Sequence, residues 1–236
     1  MPLQPVEYSI RKVGPKVVSW WIGEALEEQG HSPDDEVDEV LWLPVDRADD
    51  LLTYSSELQV LEEALSVPLP TTTIVVVRHG KAVSRKEWAA GTSRKHRDDA
   101  RRPLDRRGKR QAEALPQILD CYAVHRLVSS SAARCVQTLT PYAEQIGVDV
   151  RADDELTEEV HDEDPDRTET RMRRIVADAL SDPTNPVAIC GHRPVLPLMN
   201  HALGVVYHPM STAECLIVHL DGNGESLAEE RFDSII

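Results

Sequence analysis

The run Ile74-Val75-Val76-Val77, followed directly by Arg78-His79-Gly80, constrains this chain more than any other stretch. A short β-branched run bounded by turn signals reads as a buried strand. A guanidinium, an imidazole and a glycine then stand at its carboxyl end, where open α/β sheets bind ligands. A neutral imidazole can attack phosphorus, and a neighbouring guanidinium can hold phosphate oxygens bidentately. The placement points to phosphoryl transfer through a phosphohistidine.

Two further strand ends carry compatible groups. Leu127-Val128 precedes Ser129-Ser130-Ser131-Ala132-Ala133-Arg134-Cys135-Val136-Gln137-Thr138. Small hydroxyl residues between a strand and a helix suit an N-cap whose free N–H groups face an anion. Arg134 then falls in the first turns of that helix. Val187-Ala188-Ile189-Cys190 ends in Gly191-His192-Arg193-Pro194, a second strand-end histidine with a proline suited to opening a helix.

Val-Arg-His-Gly at 77–80, the 129–138 segment and Gly-His-Arg-Pro at 191–194 together resemble the histidine phosphatase superfamily. Residues 103–112 (Pro-Leu-Asp-Arg-Arg-Gly-Lys-Arg-Gln-Ala) are similar to the segment that opens that family's first long helix. The resemblance spans roughly 73–220 and is nearest to bacterial phosphohistidine phosphatases and to the C-terminal domain of two-domain proteins with a Nudix domain in front. It implies His79 as nucleophile and Arg78, Arg134 and His192 as the phosphate pocket. Gly80, Lys81, Ser129, Ser130 and Gly191 join them as substrate-binding candidates. In many relatives a glutamate in a Leu-x-Glu context donates the proton to the leaving group, and Leu156-Thr157-Glu158 fits, so Glu158 is the candidate acid. The family's Gly-rich continuation after that glutamate is absent. Neither a cofactor nor a metal is expected, since His96, His125, His161 and His201 are scattered along the chain.

Punctuation and period give the organisation. Strands are expected at 73–77, 126–129, 148–151, 187–190 and 214–220, with helices at about 108–119, 133–145, 168–181 and 195–203. The 153–169 stretch, with ten acids and one base (Arg167), reads as a mobile connection. Alternating strands and helices predict an α/β fold, a mostly parallel sheet with helices on both faces. Val67-Pro68-Leu69-Pro70 marks a boundary, giving a small α+β segment at 1–70 and a catalytic domain at 71–236. In the first segment, Lys16–Trp21 and Val37–Val45 read as strands, and Asp46–Leu52 and Ser56–Leu65 as helical pieces. Asp34–Pro44 resembles the C-terminal half of a Nudix domain. Glu24–Gly30 imitates the end of the Nudix metal-binding signature, but the acids and glycine expected before it are missing. The segment is therefore expected to be truncated, without a catalytic metal site, and to pack or to recruit a protein partner.

Charge sharpens the function. The net charge of −15 disfavours nucleic-acid polymers and anionic membranes. Residues 78–110 nevertheless hold 13 Lys or Arg against four acids, a local +9 that leaves −24 for the remainder. Such a segment focuses an anionic substrate onto His79. Arg85, with Lys86, Arg94, Lys95 and Arg97, is a candidate for a second phosphate. The four cysteines, Cys121, Cys135, Cys190 and Cys215, lack metal-like spacing and read as buried and reduced. With no apolar run near the ~20 residues of a membrane span and no signal peptide, a cytoplasmic location is expected. Three functions fit: a phosphohydrolase for a small phosphorylated metabolite or nucleotide, a nucleoside diphosphate among them; a protein phosphohistidine phosphatase; or a non-catalytic regulatory binding protein. A mutase fits less well because insertions that would retain a phosphorylated intermediate are lacking. Nothing in the sequence signals an oligomeric state.

Overall fold

The computed structural model describes residues 1–25, 33–48 and 50–234, without the side chains of Lys95 and Arg97. The chain divides at Val67/Pro68. In the first unit, β1 (Val6–Ile10) pairs antiparallel with β2 (Gly14–Val18). Gly14, at φ +113°, makes the sharp reversal that an L side chain resists. Helices α1 (Val45–Ala48) and α2 (Ser55–Ser66) follow. The Glu57 carboxylate accepts from the Thr53 and Tyr54 amides and so closes the start of α2. The expected strand at Val37–Val45 does not form. Val40, Leu41, Trp42 and Leu43 are exposed, so among the described residues no neighbouring strand or apolar layer supports their β propensity. Residues 26–30 of the Nudix-like stretch lie outside the described residues.

The second unit is built on a six-stranded sheet. Its strands are β3 (Thr72–Arg78), β4 (Arg126–Ser130), β5 (Val150–Asp153), β6 (Val187–Gly191), β7 (Cys215–Leu220) and β8 (Ser226–Phe232), in the order β5-β4-β6-β3-β7-β8. The four strands from β5 to β3 run parallel, while β7 and β8 are antiparallel additions. Helices α3 (Arg85–Ala89), α4 (Arg106–Ala114), α5 (Pro116–Leu119) and α6 (Ala133–Ile146) precede α7 (Glu158–Glu163), α8 (Pro165–Leu180) and α9 (Leu196–Ala202).

Period-two alternation along the central strands assigns side chains to two cores. Ile74 and Val76 of β3, Val187 and Ile189 of β6, and Leu216 and Val218 of β7 pack with Met172, Ile175, Leu196 and Met199 from α8 and α9. Val75 and Val77, Ala188 and Cys190, and Cys215 and Ile217 face the other way, onto Leu115, Leu119, Leu139 and Tyr142 from the α4–α6 side. A strand apolar on both faces needs a covered sheet, which explains the unbroken β-branched run of β3.

The second unit differs from expectation in four places. The acidic 153–169 stretch is helical, not a mobile connection. Thr157 caps α7, accepting from the Val160 amide, and Asp164 caps α8, accepting from that of Arg167. The 108–119 helix is two pieces meeting at Leu115, because Pro116 cannot continue the first ladder. Strand β8 has a charged, alternating pattern and escapes an apolar-run search, since only one of its faces is covered. Cys121 is exposed, while Cys135, Cys190 and Cys215 are buried.

Gly108, in the first turn of α4, lies against the Lys81 backbone, and a Cβ built there stands 2.0 Å from the Lys81 carbonyl oxygen. Backbone cannot yield cheaply. The substitution Gly108→Ala is expected to cost about 1–3 kcal/mol, read as a lower urea midpoint with an unchanged slope.

Candidate active site

Strand pairing brings the site together. In the β3–β6 register Arg78 stands opposite Gly191, so the next residues, His79 and His192, emerge side by side. Their ring centroids are 5.4 Å apart, edge to face. On the other side of β6, Ser129 pairs with Cys190, which places Ser130 beside the start of the Gly191-His192 turn. The site thus lies at the carboxyl ends of three adjacent parallel strands.

His79 is held at both ends. Its amide donates to the Gly191 carbonyl at 3.1 Å, and its Nδ1 lies 2.7 Å from the Gly80 carbonyl oxygen. A carbonyl only accepts, so Nδ1 carries the proton and Nε2 keeps the lone pair. Burial pushes the His79 pKa down to about 4, with His192 and Arg134 adding to that, so the ring is neutral at pH 7. Gly80 donates its amide to Thr138 Oγ1, and a Cβ at Gly80 would meet the Gly108 carbonyl at 3.0 Å. This part of the loop needs a glycine.

His192 is fully buried, with Nε2 at 2.7 Å from Ser130 Oγ and Nδ1 at 3.2 Å from Glu158 Oε1. Burial opposes a charge on this ring, but Cys135 and Glu158 raise its pKa. Cys135 Sγ lies 3.4 Å from Nε2. Arg134, also buried, donates from Nη2 to Glu158 Oε1 at 3.0 Å and from Nη1 to the Asp99 carbonyl at 3.0 Å; its Nε is buried without a hydrogen-bond partner. Arg85 reaches Glu158 Oε2 at 2.6 Å from an exposed position. The hydrogen bond from His192, followed by the Arg134 charge, holds the Glu158 carboxyl far below the usual carboxylate range. In this state Glu158 is an ionised anion held by Arg134 and His192, and it has no proton to give.

The remaining candidates are placed differently. Arg78 donates from Nη1 to the Met210 carbonyl, and its Nε is buried without a hydrogen-bond partner. Neither Arg78 nor His79 lines the adjoining cavity of about 330 Å³, whose walls include Arg85, Trp88, His96, Arg134, Glu158 and His192. Ser129 turns its hydroxyl to the Ser130 carbonyl, so it faces its own backbone and not an anion. Lys81 contributes its amide to Gln111 Oε1 and leaves its side chain exposed. Gly191 acts through its carbonyl, and a Cβ there would meet Met199 Sδ at 2.7 Å. The α6 N-cap is Ala132, with no side-chain cap; of the expected hydroxyls, Ser130 accepts from the Ala132 amide at 3.4 Å. Of the basic-segment candidates, the side chains of Lys95 and Arg97 lie outside the described residues.

Two site residues escaped the sequence reading. Asp99 gathers Arg85, Arg102 and Arg134 around its carboxylate, and it is one of only four acids in the basic 78–110 segment. Cys135 follows Arg134 directly, but nothing in its spacing announces contact with His192. A nitrogen each from His79 and His192 and an oxygen from Glu158 also lie within 4.8 Å of one another, a set able to ligate a cation. Nothing in the spacing of the histidines announces this trio, because its members come from three separate strand and helix ends.

Residues 74–162 match the family model of the histidine phosphatase superfamily (branch 1). An 8-oxo-(d)GTP phosphatase of Mycolicibacterium smegmatis is 38% identical over 184 residues, covering 78% of this chain and 53% of that protein. The chain thus spans about half the length of that curated relative. Among solved structures, the protein histidine phosphatase SixA complexed with tungstate superposes with a TM-score of 0.53 at 18% identity, over 69% of this chain and 97% of that one. Mycobacterial hydrolase 1 superposes with a TM-score of 0.51 at 16% identity, over 70% and 98%. These two likenesses are of fold. The second unit belongs to the histidine phosphatase superfamily. Among the described residues, no helix is long and apolar enough to cross a membrane.

The depressed pKa of His79 makes a signed prediction. An unfolded histidine titrates near 6.5, so the unfolded chain binds more protons than the folded one between that value and about 4. Stability from this group is therefore lost as pH falls through that window. The His79 ring Cε1–H is expected to titrate by NMR with a midpoint near 4; a midpoint at 6.5 would contradict the burial argument.

Proposed function

We propose that this chain is a phosphatase that passes the phosphoryl group through His79, with a nucleotide as its substrate class. The observation that carries the reading is the packing of His79, whose Nδ1 is tied to the Gly80 carbonyl, against His192, which shares the Glu158 carboxylate with the buried Arg134. The nucleotide class draws on the relative named as an 8-oxo-(d)GTP phosphatase. A phosphate dianion would take the place that the Glu158 carboxylate holds on Arg134 and His192, exchanging one anion for another. Nε2 of His79 then attacks phosphorus, and the bond to the leaving oxygen breaks. Arg134 and His192 stabilise charge on the equatorial oxygens, where a single lost donor typically costs about 2.7–4 kcal/mol.

Glu158 acts only once substrate is bound. The incoming dianion competes for Arg134 and His192 and adds negative charge nearby, and both effects raise its pKa. It then takes up a proton from solvent, passes it to the leaving oxygen and recovers one from the water that cleaves the P–N bond, which regenerates His79 and frees phosphate. No metal takes part. A cation on the His79, Glu158 and His192 trio would consume the Nε2 lone pair, so metal binding and covalent catalysis exclude each other at this site.

The test is phosphate release from nucleoside diphosphates by the full chain. His79→Ala is expected to lower kcat by at least about 10³-fold, EDTA to leave the rate unchanged, and Zn²⁺ to inhibit. Activity surviving in His79→Ala would reject the covalent route, and loss of activity in EDTA would reject metal independence. Glu158→Gln is expected to slow an alkyl phosphate far more than p-nitrophenyl phosphate, whose leaving group needs no proton.

A further inference from the structure

The cavity beside Arg134 and His192 has an aromatic wall that the chemistry above does not use. Trp88 and His96 lie edge to face with ring centroids 4.3 Å apart, and both line the cavity with Arg85, Arg134 and His192. The indole is pinned by donation from Nε1 to the Asp98 carbonyl at 3.1 Å. His96 is seated over Gly91, where any Cβ would stand 2.3 Å from His96 Nδ1. A rigid indole anchored through its N–H and an imidazole accommodated by a glycine make a preformed surface, which lowers the entropy lost on binding.

Three constraints define what that surface takes. Arg85 and Trp88 are three residues apart on α3, so they project from the same side of one helical turn. The Arg85 guanidinium shares the Glu158 carboxylate with Arg134, and the aromatic pair lines the same cavity. The cavity lining also includes Glu159 and Asp162, exposed carboxylates that only accept hydrogen bonds and that repel further anionic groups. A bisphosphorylated sugar satisfies the guanidinium but meets repulsion from these carboxylates. A nucleoside diphosphate satisfies all three, with its terminal phosphate at His79, its inner phosphate at Arg85 and a donor-bearing base on the aromatic pair.

We propose that Trp88 and His96 form a base-stacking platform, with Arg85 as the inner-phosphate contact, which makes α3 and the turn after it the element that reads the nucleotide. This rests on the phosphatase reading above and deepens it. Stacking of a base on an aromatic side chain supports a roughly ten-fold change in affinity on its removal.

The experiment compares GDP with inorganic pyrophosphate, which shares the anhydride but has no base. Both are assayed by phosphate release with the wild-type chain, Trp88→Ala and Trp88→Phe. The Trp88→Ala change is expected to raise KM for GDP about ten-fold more than KM for pyrophosphate, with Trp88→Phe restoring most of the difference. A second measurement needs no variant: GMP is expected to inhibit the wild type about ten-fold more tightly than ribose 5-phosphate. Equal KM increases for both substrates, or equal inhibition by GMP and ribose 5-phosphate, would overturn the platform and leave Trp88 as a loop-packing residue. A wild type that cleaves pyrophosphate but ignores GDP would also overturn the platform while sparing the phosphatase reading. Failure to cleave either would reject that reading itself.

Discussion

The parallel pairing of β3 with β6, with Arg78 opposite Gly191, is the constraint on which the rest of the site depends. β6 is buried along its length and β3 from Ile74 to Val77, and each ends in a residue with an imidazole after it. Side-chain period two makes register all-or-none: a slip of one residue would swap the two cores and separate the two histidines at once. Packing that stabilises the sheet therefore also sets the distance between His79 and His192. Ser130, reached from β4 on the far side of β6, completes the arrangement by fixing His192 Nε2.

Electrostatically the site is balanced by its own carboxylates. Arg134 and His192 are buried cationic or chargeable groups, and unpaired buried charge is costly. Glu158 and Asp99 relieve that cost in the absence of a ligand. In the proposed mechanism an anion with more charge replaces Glu158 on Arg134 and His192. The same competition is what the proposed mechanism uses to turn a glutamate held ionised in the free protein into a proton carrier.

The basic and acidic segments, read separately, look like a solvated loop and a mobile connection. Folded, they face one another across the cavity: Arg85 from the basic segment meets Glu158 from the acidic one. Arg171 similarly anchors Asp153 at 2.5 Å, and Arg167 meets Glu155, so acids that would repel in isolation become the capped helices α7 and α8. Composition gave the sign of each segment, but only three-dimensional pairing gave its structure.

Local pattern in the sequence was enough to determine the β-branched run of β3, the strand-end motifs around His79, Arg134 and His192, and the alternation of strands and helices. These are properties of neighbouring residues: strand burial, turn chemistry and motif order do not depend on distant partners. Tertiary structure alone decided that Arg78 turns toward the Met210 carbonyl, that Ser129 faces its own backbone, that Asp99 and Cys135 join the site, and that Val37–Val45 forms no strand. In each case the outcome depends on which groups, remote in the chain, compete for the same donor, charge or packing surface. That competition is invisible until the sheet has brought them together.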